Sequence, residues 1–229
     1  MRRIVAAWRR GGLGRAARTA WSRWNDHRIE RRSGIRTAGL VPIETLVEDW
    51  RGCHDYFPTP YAELKTVLGA LDPGADDVFV DIGSGKGRAL AIAAGFPFAR
   101  IVGVEISPLL CASARDLIAR SNGGFACRNI EIVEADAGAY AIPADATFLY
   151  LYNPFHGPRL ERLFEAIADS VAANPRKLTI LYNNPAHFEP IESRFPWLRR
   201  TRVLELEYRW IVYSVASPNS VGESAVSRP

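Results

Sequence analysis

Residues 78–88 read Val78-Phe79-Val80-Asp81-Ile82-Gly83-Ser84-Gly85-Lys86-Gly87-Arg88, and this stretch decides the fold. Three β-favouring apolar residues run into a carboxylate, glycines follow at alternate positions, and helix-forming residues come next. In an open parallel sheet, the turn after the first strand is where a ligand meets the backbone. Glycines there allow a close approach in conformations that a Cβ would forbid. The helix that follows contributes unpaired N–H groups and the positive end of its dipole.

Spacing excludes two nucleotide signatures. A dinucleotide fingerprint, G-x-G-x-x-G, needs glycine where Arg88 stands, and a P-loop needs glycine at Val80 and Ser or Thr at Gly87. The pattern that survives is acidic-x-Gly-x-Gly-x-Gly. A carboxylate at Asp81 would repel a pyrophosphate at short range and attract an ammonium. The ligand expected is therefore a nucleotide that bears an amino acid.

Outward from this loop the chain alternates β-rich runs with helical stretches. The runs are Val78–Asp81, Ile101–Glu105, Ile130–Val133, Thr147–Tyr152 and Lys177–Tyr182, with helices expected at about 88–95, 108–121 and 157–173 and a shorter one near 187–194. This alternation predicts parallel βαβ units. Arg202–Tyr208 and Trp210–Val215 are too close for a crossover and must pair as an antiparallel hairpin. The expected fold is α/β, a doubly wound, mostly parallel seven-stranded sheet with a C-terminal antiparallel hairpin, preceded by a helical basic extension. Expected boundaries are 1–40 for the extension, 41–216 for the Rossmann-like domain and 217–229 for a Ser-rich disordered tail.

Two more carboxylates fall at strand ends. Glu105 closes the second run, eighteen residues after Gly87, where an acid can accept both hydroxyls of a ribose. After the third run comes Glu134-Ala135-Asp136-Ala137, with Asp136 set to accept from an adenine amine.

With these residues in place, the chain resembles the class I S-adenosylmethionine-dependent methyltransferases over roughly residues 55–216. The resemblance implies S-adenosylmethionine as cofactor. It implies that Asp81, Gly83 and Ser84 lie at the methionine moiety, that Gly85 and Gly87 give room for the ribose and methionine backbone, and that Glu105 binds the ribose. Ile106 would then pack on the adenine, and Asp136 with the Ala137 backbone would read its edge.

The fourth run ends in Asn153-Pro154-Phe155, beside the expected position of the transferable methyl. This triplet is similar to the D/N-P-P-Y/F motif of amino-group methyltransferases but lacks the second proline, and Asn-Pro also simply turns a chain after a strand. Upstream, Asp55-Tyr56-Phe57-Pro58-Thr59-Pro60 is similar to a stretch in the mitochondrial lysine methyltransferases that act on ATP-synthase c-subunits. That resemblance implies a cofactor-covering segment, with Thr59 at the cofactor and Tyr56 at the reacting centre, and it favours protein lysine as acceptor. RNA and small metabolites stay open, as does a regulatory module that binds the cofactor without catalysis. Tyr182-Asn183-Asn184-Pro185 is a candidate second wall of the acceptor pocket.

Charge is divided sharply along the chain. Of the 29 basic residues only Lys65, Lys86 and Lys177 are lysines, a bias typical of a GC-rich bacterial genome. Residues 1–36 hold eleven arginines against Asp26 and Glu30, a net +9, while the whole chain of 229 residues is only +4. The arm also carries Trp8, Trp21 and Trp24 at partly helical spacing, broken near Gly11-Gly12 and Gly14. Contact with a membrane surface, nucleic acid or an acidic partner is expected from it, or simple cover for the core. Ile4–Trp8 is too short for a signal h-region, so a cytoplasmic location is expected, with any membrane association peripheral. Cys53, Cys111 and Cys127 lack ligand spacing and read as idle thiols; His54, His156 and His187 read as scattered, and no metal site is expected.

Overall fold

The computed structural model of the chain describes Ala17 and residues 19–31, 36–46, 51–121 and 124–215. The expected break near Gly11-Gly12 and Gly14, the apolar residues Val47 and Trp50, and the tail 217–229 lie outside the described residues.

Seven strands form one sheet in the order β3-β2-β1-β4-β5-β7-β6. They are β1 (Val78–Ile82), β2 (Arg100–Glu105), β3 (Ile130–Glu134), β4 (Phe148–Tyr152), β5 (Thr179–Asn183), β6 (Leu198–Glu205) and β7 (Arg209–Val215). β1 to β5 are parallel; β7 pairs antiparallel with both β5 and β6. The fold expected from the alternation is the one found.

β1 is buried at every position, as a strand covered on both faces must be. Its alternate residues feed two cores. Val80 and Ile82 face Leu160, Leu163, Phe164 and Ile167 of α5 (Pro158–Ala173). Phe79 faces Leu64 and Leu68 of α2 (Tyr61–Gly69) and Leu90 of α3 (Arg88–Ala93). Leu117 of α4 (Pro108–Arg120) joins the second core. A further helix, α1, spans residues 19–31.

Two expected elements differ. The strand placed at Arg202–Tyr208 begins four residues earlier and ends at Glu205, with a bulge between Arg200 and Arg202, and Leu206–Tyr208 turn the chain instead. β6 is the sheet's edge strand and mostly exposed, so it shows no apolar alternation to mark its start. The helix expected near 187–194 is a 3-10 turn, Glu189–Arg194, whose flanking Phe188 and Phe195 pack on Phe164. Ile43–Thr45 form another short 3-10 turn.

Strand order reverses between β1 and β4, and a crevice opens there at their carboxyl ends.

Candidate functional site

The loop after β1 is tied to β2 before any ligand is considered. Gly83 and Ser84 donate their N–H groups to the Val104 carbonyl at 2.8 and 3.0 Å. Gly83, Gly85 and Gly87 all have positive φ (79°, 56° and 79°), a region that costs other residues. Sterics add a second demand. A Cβ on Gly83 would lie 2.9 Å from Pro154, and one on Gly85 would overlap the Tyr56 ring. The two switch-point loops, after β1 and after β4, are therefore in direct contact.

The crevice is a narrow cleft that opens to solvent. Asp81, Gly83, Ser84 and Gly85 form its floor; Glu105, Ile106, Asp136 and Ala137 form one side. Asn153, Pro154 and Phe155 form another, and Tyr56 and Thr59 approach from the covering segment. Gly87 is the exception. It does not line the cleft, and its missing Cβ would instead lie 3.0 Å from Ala114 of α4. Its glycine is needed for helix packing and for the turn into α3, not for ligand room.

Electrostatics mark the floor. Asp81 is 2% exposed and makes no hydrogen bond or ion pair with the described residues. Burial pushes its carboxyl well above the usual carboxylate range, and nearby Glu105 raises it further. Glu105 is raised by burial too, opposed by the backbone N–H groups that it accepts. Its Oε2 accepts from Gly85 N and its Oε1 from Ser107 N, each at 2.9 Å. The Ile106 N–H also bears on this carboxylate, and of its four lone pairs at least one remains for a ligand hydroxyl. Asp136 is partly engaged: Oδ1 accepts from Gly138 N at 2.8 Å and pairs with Arg159 Nε at 3.3 Å.

Three buried polar atoms in the cleft wall have no hydrogen-bond partner among the described residues: Ser84 Oγ, Asn153 Oδ1 and His54 Nε2. A ligand in the cleft could complete their bonding. Asn153 also has a φ of 42°, a strained conformation in a non-glycine residue at a strand end.

The covering segment is pinned at several points. Gly52 O accepts from His156 N at 2.7 Å and His54 N donates to Pro154 O at 3.1 Å, so 52–54 runs antiparallel to the loop after β4. Thr59 Oγ1 lies 2.9 Å from Tyr150 Oη. Tyr56 departs from its expected place at the reacting centre. Its hydroxyl donates to the Thr37 carbonyl at 2.8 Å, burial raises its pKa, and its ring lies over Gly85 with Lys86 Nζ 5.1 Å from the ring centre. It works as a cover over the glycine loop.

Several features went unread in the sequence. Arg88, 2% exposed, joins α1 to the cleft wall: it pairs with Asp26 at 2.5 Å and Glu30 at 2.8 Å, and donates to Thr37 Oγ1 and the Thr59 carbonyl. Asp26 also accepts from Tyr61 N, the first residue of α2, at 3.1 Å. A signal existed, since Asp26 and Glu30 are the only acids of the arm and stand four apart, on one helix face. The histidines are clustered instead of scattered: the rings of His54, His156 and His187 lie 4.9 to 5.3 Å apart. Burial and its two neighbours lower the His54 pKa to about 4, keeping it neutral. Among the described residues, no group of His, Cys, Asp and Glu is arranged to hold a metal ion. Arg159 reaches the Cys53 sulfur at 2.6 Å, which makes Cys53 a packed member of the cleft wall. Asn183, fully buried beside Tyr152, and Asn184 do not line the cleft, so the second wall expected from that strand end is not there.

The chain is similar in fold to solved structures. One is an RNA methyltransferase from Salinibacter ruber solved with S-adenosyl-L-homocysteine, at 20% identity and TM-score 0.51, covering 70% of this chain and 94% of that one. Another is a ribosomal protein L11 methylase from Lactobacillus delbrueckii subsp. bulgaricus, at 12% identity and TM-score 0.54, covering 70% and 81%. A third is mitomycin 7-O-methyltransferase, at 19% identity and TM-score 0.53, covering 68% and 54%. The chain has the methyltransferase fold. No protein-family model matches the chain, and no curated protein does. These proteins share the fold but differ in their named acceptors, so the fold does not set the acceptor.

No described helix is long and apolar enough to cross a membrane.

Proposed function

We propose that the chain is an S-adenosylmethionine-dependent methyltransferase acting on nitrogen, with a protein lysine as the preferred acceptor. The observation that carries the cofactor assignment is Asp81, a buried acid with no cation beside it among the described residues, at the mouth of a glycine turn. An ammonium group would restore the charge balance that burial upsets. The residues fit the rest of the cofactor as well. Glu105 keeps acceptor capacity for a ribose hydroxyl, and Ile106, Asp136 and Ala137 follow along the same wall for a base. Ser84 Oγ is a further unpaired group on the floor.

The cofactor brings an electrophilic methyl carbon, open to in-line displacement by a nucleophile. Such a displacement depends mainly on positioning. Asn153 is suited to position the acceptor, because its Oδ1 can accept an N–H from an amine and aim the nitrogen lone pair inward. Pro154, packed on Gly83, fixes Asn153 relative to the cofactor loop. Support for lysine comes from that acceptor atom and from the likeness of Tyr56-Phe57-Pro58-Thr59-Pro60 to the c-subunit lysine methyltransferases.

Incubating the protein with methyl-labelled cofactor and cell extract tests the acceptor. Label removed by protease and recovered as methyllysine supports the reading. Label removed by nuclease, or found in small molecules, moves the acceptor to RNA or a metabolite, and tight cofactor binding without transfer makes the chain a binding module.

A further inference from the structure

Helix α1 turns one side inward and presents the other to solvent. Thr19, Ser22, Asn25 and Glu30 are buried, and Asp26 is half-buried against Arg88. Both acids of the helix are thus spent on Arg88. The opposite stripe runs Ala17, Trp21, Trp24, Arg28, Arg31, spaced alternately by four and three, and every member is exposed. Trp21 is 57% and Trp24 58% exposed, large apolar surfaces to leave in water on a helix already seated on its domain. The outward stripe holds cations and tryptophans and no acid, which is the composition of a helix lying in a lipid interface.

We propose that this stripe seats α1 flat on an anionic lipid surface. Charge favours that partner. Residues 1–36 carry a net +9, against a total of +4, so the remainder is negative. An anionic surface attracts the arm and repels the rest of the chain, which sets the orientation. The state of Trp24 separates lipid from nucleic acid. The Arg28 guanidinium lies 5.1 Å from the Trp24 ring centre and covers a face that a stacked base would need. An indole at a lipid interface needs no open face, since its ring sits among headgroups and its N–H bonds there. The arginine beside it supplies the phosphate contact. Because Arg88 joins α1 to the cleft wall, the surface that binds lipid and the cleft move as one body.

The test is co-sedimentation of the full chain with vesicles of phosphatidylcholine alone and of phosphatidylcholine mixed with phosphatidylglycerol. Binding to the mixed vesicles is expected to exceed binding to neutral ones by about tenfold or more and to weaken as salt is added. Trp21→Ala with Trp24→Ala should lower that binding by about tenfold with an unchanged melting temperature, since neither ring is buried. Arg28→Glu with Arg31→Glu should abolish it. The proposal is overturned by equal binding to neutral vesicles, by no binding, or by tryptophan variants that bind as the parent does. A single-stranded RNA oligonucleotide that binds through Trp21 and Trp24 while mixed vesicles fail to bind would reassign the stripe to nucleic acid.

Discussion

Glu105 Oε2 accepts the backbone N–H of Gly85 at 2.9 Å, so the acid at the end of β2 holds the glycine loop at the end of β1. One side chain thereby shapes the loop and offers its remaining lone pairs to a ligand. Glu105→Gln keeps the volume but points an amide N–H at backbone donors on one side. The variant should lose about 1.5 to 3 kcal/mol of cofactor affinity and some stability as well, the range for hydrogen bonds to charged groups. Calorimetric titration beside urea denaturation reads the two effects separately.

Gly85 and Tyr56 should behave as a coupled pair. Gly85→Ala places a Cβ at a φ of 56°, worth about 1 to 2 kcal/mol in strain, and drives it into the Tyr56 ring. Tyr56→Ala removes the obstacle but not the strain. In a double-mutant cycle, the two changes together should cost less than the sum of the singles, by about 0.5 kcal/mol or more. Additive costs would mean that the ring does not rest on the loop.

Removing Arg88 should unseat α1. Arg88→Met leaves Asp26 and Glu30 buried without a cation, a loss of about 3 to 5 kcal/mol by the behaviour of other broken buried pairs. Hydrogen exchange should rise first in residues 19–31. Adding Asp26→Asn and Glu30→Gln to Arg88→Met should recover part of the stability, because the stranded charges are then gone.

Asp81 gives a pH dependence with a definite sign. Its folded carboxyl is raised from an ordinary value of 3.8, so the folded ligand-free chain holds a proton that the unfolded chain has released. Its contribution to stability therefore falls as pH rises from about 3.8 through the raised value. An ammonium ligand needs the carboxylate, so binding expels the proton and affinity rises with pH over the same window. Calorimetry in two buffers of different ionisation heat measures the protons released. Asp81→Asn should remove the larger part, Glu105 accounting for the rest.

The sheet and much of the cleft wall could be read from the sequence because both are local. Apolar runs, glycines and terminal acids occur in one order, and Asp81, Glu105 and Asp136 come together simply because parallel strands end on one side. What escaped reading depends on pairs far apart in the chain. Arg88 meets Asp26 and Glu30 across about sixty residues, and His54 stacks on His187 from a different loop. The four-residue spacing of Asp26 and Glu30 marks a helix face but not the distant partner that it meets. Gly87 shows the opposite case, a motif glycine whose reason is the close passage of Ala114, which no spacing rule reports.

The most direct test of the central claim is titration of the full chain with S-adenosylhomocysteine by calorimetry, beside a nicotinamide dinucleotide. Saturable one-to-one binding of the first is expected, weakened by Asp81→Ala and by Glu105→Ala by about 1.5 to 3 kcal/mol each, with no binding of the second. Binding of the dinucleotide alone, or affinity for S-adenosylhomocysteine unchanged in both variants, would contradict it.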